Sequence, residues 1–112
     1  MKYYIGIDLG GTNIVAGVVD ENFSLIATAS NKTNAGRPAD QIAETMAQTA
    51  AQAAEKAGIS MEQIESVGIG SPGIVDSQKR EVIFASNLDF YNAPIGQLLE
   101  DRLHRPVFLA ND

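Results

Sequence analysis

A pair of glycines follows a short apolar segment near the start of the chain, in the sequence Asp8-Leu9-Gly10-Gly11-Thr12. Glycines carry no side chain, so a phosphate can approach backbone N–H groups that form an anion-binding hollow. Thr12 adds a hydroxyl donor. A plain hairpin turn is the alternative, but such a turn does not need a carboxylate at the end of an apolar strand. A charge there is costly unless it is hydrogen-bonded or faces a cation, so Asp8 favours phosphate binding.

A second glycine-rich segment, GIGSPG at residues 68–73, has the spacing G-x-G-x-x-G. The dinucleotide-binding fingerprint with this spacing requires a helix to begin at the third glycine, because the pyrophosphate binds at the helix N-terminus. Residues 74–77 show no helical period, and Pro72 removes one N–H donor from the loop. The segment therefore predicts a tight loop at a strand end, lining a cleft, and argues against a dinucleotide site.

Asn111 and Asp112 follow directly after a third apolar segment, residues 107–110. In open α/β sheets, ligands bind beyond the carboxyl ends of the strands. An Asp at that position can accept a proton from a substrate hydroxyl, and a neighbouring Asn can both donate to and accept from an adjacent hydroxyl. Capping of a following helix is the alternative role, and for this pair taken alone it is the stronger one.

All three segments place glycine or polar residues at the end of a predicted strand, and their joint occurrence favours one shared site. His104, the only histidine, lies near a predicted helix end, where we expect it to face solvent and complement the helix dipole. No spacing predicts a metal site built from protein ligands alone. The sequence also lacks a Walker A motif, which excludes a P-loop enzyme.

The elements that position these segments follow from the apolar pattern and from the turn formers between apolar segments. Five strands are predicted, at residues 3–8, 14–19, 23–29, 66–70 and 107–110. The first three form an antiparallel meander, and residues 82–85 are a further extended segment. One long helix begins at Pro38 and Asp40 and stops at Gly58, and a second helix covers residues 94–103. The order βββ-α-β-α-β indicates one α/β domain.

The composition narrows the class of protein. At 112 residues, 45% hydrophobic and 20% charged, the chain is an ordinary globular domain. Its net charge of −6 at pH 7, with scattered Lys and Arg, argues against nucleic-acid binding. The sequence has no cysteine, no apolar stretch of membrane-spanning length and no signal-peptide pattern. We therefore expect a cytoplasmic protein with no membrane partner.

Four segments in this order and spacing resemble the ROK family (repressor, open reading frame, kinase), within the actin-like superfamily. IDLGGTN at residues 7–13 resembles the family's first phosphate motif, and GSPGIVD at residues 70–76 resembles its G-x-P-G-x-V-D loop. SNLDF at residues 86–90 resembles the N-L-x-W segment, and AND at residues 110–112 the start of the A-N-D-A-N catalytic segment. The resemblance implies an actin-like (ribonuclease H-like) α/β ATPase lobe, with a mixed five-stranded sheet that contains the three-strand meander and is flanked by helices.

The resemblance further implies ATP-dependent phosphorylation of a hydroxyl on a hexose or amino sugar. Five residues would bind the nucleotide phosphates: Asp8, Gly10, Gly11, Thr12 and Asn13. Of these, Asp8 would also face the Mg²⁺ ion that accompanies ATP. Gly73, Asn111 and Asp112 would contact the sugar, and Asp112 would act as the catalytic base.

Two residues depart from the family pattern. Phe90 stands where the family usually has tryptophan, which alters packing beside the sugar cleft, and Val15 stands where some relatives carry a basic phosphate contact. The resemblance implies that residues 1–112 are an N-terminal lobe, inactive alone. A C-terminal lobe would then carry a second phosphate motif, an adenosine-binding segment and a zinc-binding His and Cys cluster, and would make the protein a homodimer.

Two other functions stay open within this superfamily. A sugar-responsive ROK repressor would carry a DNA-binding winged helix before the phosphate motif, but Asp8 is the eighth residue and leaves no room for one. A non-catalytic actin-like ATPase module would hydrolyse ATP without a sugar, and it would not need Asn111 and Asp112. We therefore expect a sugar kinase.

Overall fold

The computed structural model describes residues Met1–Asp112 and contains eight strands and two α-helices. The strands are β1 (Tyr3–Leu9), β2 (Asn13–Asp20), β3 (Leu25–Lys32), β4 (Ile64–Ser71), β5 (Ile74–Asp76), β6 (Glu81–Ala85), β7 (Phe90–Ala93) and β8 (Val107–Asn111). The α-helices are α1 (Ala39–Ala57) and α2 (Ile95–Leu103), and two short 3-10 helices lie at Met61–Gln63 and Ser86–Leu88.

The main sheet has five strands in the order β3-β2-β1-β4-β8. The strands β1, β2 and β3 pair antiparallel, whereas β1, β4 and β8 run parallel. Parallel neighbours need a crossover connection, and α1 and α2 supply the two crossovers. Because β1, β4 and β8 point the same way, their carboxyl ends meet at one edge of the sheet. This edge is where the sequence predicts the functional site.

The two faces of the main sheet have different surroundings. Alternate residues, such as Ile7, Ile69 and Leu109, are buried under α1 and α2. The residues between them face the other side, where Gly6 and Gly68 are exposed and the side chain of Phe108 is 62% exposed. One face of the sheet is therefore covered by helices and the other is open.

The helix α1 packs on β2 and β3 through an alanine-rich face that allows a close approach. Its buried residues are Ile42, Ala43, Met46, Ala47, Thr49, Ala50, Ala53 and Ala54. The helix ends at Gly58, which has a left-handed backbone (φ 75°), as its position predicts. His104 ends α2 in the same left-handed conformation (φ 57°) and is exposed, which confirms the expectation that it faces solvent.

One detail of the predicted elements was wrong. The third strand begins at Leu25 rather than at residue 23, because Phe23 lies in a turn with φ 62°. The carboxylate of Asp20 stabilises that turn by accepting the N–H groups of Asn22 and Ser24. The extended segment predicted at residues 82–85 is confirmed as β6, and β5, β6 and β7 form a second, three-stranded antiparallel sheet that the sequence did not predict. The strands β5 and β7 have only three and four residues, too few to show a period.

None of the helices combines the length and the apolarity that crossing a membrane requires.

Candidate active site

Asp8 and Asp112 lie on the same open face of the main sheet. Asp8 is paired with Gly70 across β1 and β4, and Gly70 is paired with Ala110 across β4 and β8. Paired residues of neighbouring strands share a face, and Asp112 comes two residues after Ala110. A Cβ atom placed on Gly70 would lie 3.3 Å from the Cβ of Asp112. The missing side chain of Gly70 thus leaves room for Asp112 beside Asp8.

The two carboxylates are available to a ligand. Both side chains are exposed, and neither takes part in the two ion pairs of the structure, Arg80–Glu100 and Arg102–Glu44. The Cβ of Asp112 lies over Gly70, which is paired with Asp8 one strand spacing away, or about 5 Å. The two carboxylates can therefore face the same bound ligand.

The glycine loop between β1 and β2 is short and internally tied. The N–H of Gly10 donates to the carbonyl of Asn13 at 3.0 Å, and a Cβ on Gly10 would lie 2.7 Å from that carbonyl oxygen. A Cβ on Gly11 would lie 2.9 Å from Nδ2 of Asn87. The backbone contact therefore requires glycine at residue 10, whereas a side chain on Gly11 would displace only the end of the Asn87 side chain. Thr12 and Asn13 are exposed beside these glycines.

The loop of residues 71–73 is tied to the end of β8. Nδ2 of Asn111 donates to the carbonyl oxygens of Ser71 (3.3 Å) and Gly73 (2.5 Å), and the N–H of Asp112 donates to Ser71 at 3.0 Å. Gly73 has φ 89°, and a Cβ there would overlap the carbonyl oxygen of Phe84. The amide nitrogen of Asn111 is thus occupied within the protein, and its amide oxygen is left to accept from a ligand hydroxyl.

No helix begins at Gly73, since β5 starts at the next residue. The prediction of a tight loop at the end of β4, and not a dinucleotide fingerprint, is confirmed. Phe90, at the position of the family's tryptophan, is 2% exposed and lies in the hydrophobic core. Val15 is paired with Asp8 and is 37% exposed, so an apolar side chain stands beside this carboxylate.

Two residues at this edge were given no role from the sequence, although Asn87 belongs to the segment that resembles N-L-x-W. Asn87 contacts Gly11 from the second sheet, through the 3-10 helix at Ser86–Leu88. Lys32, the last residue of β3, is paired with Asn13, and both are exposed. Strand pairing and loop packing bring these residues to the site, and neither leaves a local signal in the sequence.

The residues present fit a magnesium ion that is held mainly by phosphates. Mg²⁺ prefers oxygen ligands and is commonly bound by one or two carboxylates together with substrate phosphates. The exposed carboxylate of Asp8 has the chemistry of such a ligand, while no group of three or more His, Cys, Asp or Glu residues could hold a metal alone.

The main sheet is mixed, and its parallel strands end beside a glycine loop and two free carboxylates. This arrangement is typical of an actin-like ATPase lobe. The fold expected from the sequence is confirmed. The chain belongs to the ROK family: the model of that family matches residues 4–112.

Individual relatives share most of this chain but extend well beyond it. A glucokinase from Streptomyces coelicolor is 39% identical over 112 residues, which are 100% of this chain and 33% of the glucokinase. A ROK family glucokinase from Streptomyces griseus, solved in complex with glucose and AMPPNP, has a TM-score of 0.85 at 37% identity, over 97% of this chain and 33% of that one. A xylose repressor from Caldicellulosiruptor bescii is 25% identical over 115 residues, covering 96% of this chain and 27% of the repressor. The chain thus spans about a third of the length of the two glucokinases and about a quarter of the repressor.

Proposed function

We propose that the whole protein is an ATP-dependent sugar kinase and that residues 1–112 form its N-terminal lobe. The observation that carries this proposal is the shared open face of Asp8 and Asp112, on either side of Gly70. A kinase needs a phosphate site and a proton acceptor within one cleft. The similarity to a glucokinase solved with glucose and AMPPNP supports the same assignment.

The phosphate side of the proposed cleft is the glycine loop with Asp8. Bound ATP supplies the phosphoryl group, and its Mg²⁺ ion neutralises charge on the phosphates. The backbone N–H groups of Gly11 and Thr12 and the hydroxyl of Thr12 would bind phosphate oxygens, and Asp8 would hold the ion. Lys32, paired with Asn13, adds a positive charge at this edge, where Val15 provides none.

The sugar side is the end of β8 with the loop of residues 71–73. The carboxylate of Asp112 would accept the proton of a sugar hydroxyl as the hydroxyl oxygen attacks the γ-phosphorus of ATP. The bond from that phosphorus to the β-phosphate oxygen breaks and ADP leaves. The amide oxygen of Asn111 would accept from a neighbouring hydroxyl, and the exposed backbone of Gly73 would contact the sugar. The substrate class is a hexose or an amino sugar.

A sugar-responsive repressor is the second candidate, and the similarity to a xylose repressor favours it. A repressor needs to bind sugar but has no use for a proton acceptor at the attacking hydroxyl. Sugar-dependent ADP formation therefore separates the two functions, and ATP hydrolysis without sugar would indicate an ATPase module.

The test is a coupled ADP assay on the full-length protein with Mg²⁺ and a panel of glucose, fructose, mannose and N-acetylmannosamine. We expect ADP only when one of these sugars is present, with one phosphorylated sugar formed per ADP. ADP formation that ignores the sugar, or sugar binding with no turnover, would contradict the kinase assignment.

A further inference from the structure

Thr33 is buried directly behind the glycine loop and holds it from two sides. It is the first residue after β3 and is 0% exposed. Its hydroxyl donates to the carbonyl oxygen of Gly10 at 2.7 Å, and its backbone N–H donates to the carbonyl oxygen of Thr12 at 2.8 Å. Two carbonyl groups of a short loop are therefore turned toward a single buried residue.

This arrangement fixes the direction of the opposite N–H groups. In a trans peptide the C=O of one residue and the N–H of the next point in opposite directions. Because the carbonyl of Gly10 points toward Thr33, the N–H of Gly11 points away from it. The N–H groups of Gly11 and Thr12 donate to no other backbone group. The loop thus presents the N–H of Gly11 as a free donor on the side away from Thr33.

Thr33 is itself held by Arg37, which lies just before α1. Nη2 of Arg37 donates to the carbonyl oxygen of Thr33 at 2.6 Å and to the hydroxyl of Thr45 at 3.1 Å. Nε of Arg37 donates to the carbonyl of Asn34 at 3.1 Å. A chain of hydrogen bonds therefore runs from α1 through Arg37 and Thr33 to the glycine loop.

We infer that Thr33 is a positioning residue for phosphate binding: its side-chain hydroxyl orients the peptide between Gly10 and Gly11 so that the N–H of Gly11 faces a nucleotide phosphate. This role rests on the proposed kinase function for its ligand. Thr33 touches neither substrate nor reacting atoms, and it acts through the loop.

The experiment compares Thr33→Val, Thr33→Ser and Thr33→Ala in the full-length protein. Valine keeps the shape and burial of threonine and removes the donor, whereas serine keeps the donor. Thr49→Val is the matched control, because Thr49 is also 0% exposed and its hydroxyl bonds Thr45 and Asn31, away from the loop. The readouts are ATP affinity by calorimetry, KM for ATP, KM for the sugar, kcat and the thermal midpoint.

We expect Thr33→Val to weaken ATP binding and raise KM for ATP about 3- to 10-fold, the usual range for one lost hydrogen bond. KM for the sugar should stay within about twofold. Thr33→Ser should restore ATP affinity. Thr49→Val should lower the thermal midpoint and leave ATP affinity unchanged. If Thr33→Val does not fold, Thr33→Ser must bind ATP more tightly than Thr33→Ala by the same factor.

Suppose that the protein forms ADP with a sugar and that Thr33→Val binds ATP as tightly as wild type. This result would overturn the inference about Thr33 and leave the proposed function intact. A wild-type protein that binds ATP without phosphorylating any sugar would contradict the kinase function, while the loss of ATP affinity in Thr33→Val would still support the role of Thr33. A wild-type protein that binds no ATP would overturn both.

Discussion

Asp112 is the residue on which the proposed chemistry depends most. It is exposed beside Gly70 on the open face, and its own N–H is held by Ser71. A positioned general base contributes about 10²- to 10⁴-fold to a rate. Asp112→Asn in the full-length protein should therefore lower kcat by that factor, because the amide cannot accept the proton, while KM for the sugar changes little.

The matched control is Glu62→Gln, which removes an exposed carboxylate at the opposite end of β4. It should leave kcat unchanged in the same steady-state assay. Full activity of Asp112→Asn would remove Asp112 from the mechanism.

Gly73 allows a residue-scale prediction about stability. Both Gly73 (φ 89°) and Gly36 (φ 97°) have backbones that disfavour a side chain, but only Gly73 also lacks room for a Cβ. Gly36→Ala should cost about 1–3 kcal/mol of unfolding free energy from backbone strain alone. Gly73→Ala should cost distinctly more, because the new methyl group overlaps the Phe84 carbonyl. Urea denaturation of both variants measures the difference, and equal losses would contradict the overlap.

Some site residues could be predicted one at a time and others could not. Asp8, Gly10, Gly11 and Asp112 each follow an apolar strand segment, and strand ends are where α/β sheets place ligands. Thr33 belongs to the site only because the end of β3 returns beside the glycine loop. That return depends on the register of β2 with β3, which the predicted antiparallel meander does not fix.

At the scale of elements, an ion pair between Arg80 and Glu100 connects the second sheet to α2, and its contribution to stability depends on pH. Nη1 of Arg80, in the turn between β5 and β6, donates to Oε1 of Glu100 at 2.6 Å and to the carbonyl of Val107. The hydrogen bond from Arg80 is the largest cause that lowers the pKa of Glu100 below its ordinary value of 4.5, and the N–H of Val107 lowers it further. The charged form of Glu100 is therefore favoured in the folded state.

A carboxylate whose pKa is depressed on folding contributes stability above its unfolded pKa and loses it as the pH falls through the folded pKa. Wild type should thus be more stable than Glu100→Gln at pH 7. The difference in unfolding free energy should shrink as the pH falls below 4.5. Chemical denaturation between pH 7 and pH 3 measures it. Arg80→Met should lose the same pH-dependent stability, and a difference that grows toward acid pH would contradict this account.

At the scale of elements, length decided what could be predicted. The main-sheet strands and both α-helices are long enough to show an apolar period, and they were located to within a few residues. The strands β5 and β7 are too short to show alternation. Their pairing with β6 is set by the turn at Asp76, whose carboxylate accepts the N–H groups of Gln78 and Lys79, and by the contact of Phe84 with Tyr91.

At the scale of the whole molecule, the direction of three strands organises the site. Because β1, β4 and β8 are parallel, a glycine loop, a proline-glycine loop and an Asn-Asp pair from distant parts of the sequence end at one edge. The order of strands and helices predicted the α/β class, and the motifs predicted the family. The strand register, which puts Asp8 and Asp112 on one face, required the structure.

The central claim is that this edge binds phosphate beside Asp8 and sugar beside Asp112. The most direct measurement is a crystal structure of the full-length protein with AMPPNP and the sugar that it phosphorylates. We predict phosphate oxygens at the N–H groups of Gly11 and Thr12 and a sugar hydroxyl within hydrogen-bond distance of the Asp112 carboxylate. A sugar bound with its reactive hydroxyl away from Asp112, or phosphates bound away from the glycine loop, would contradict the claim.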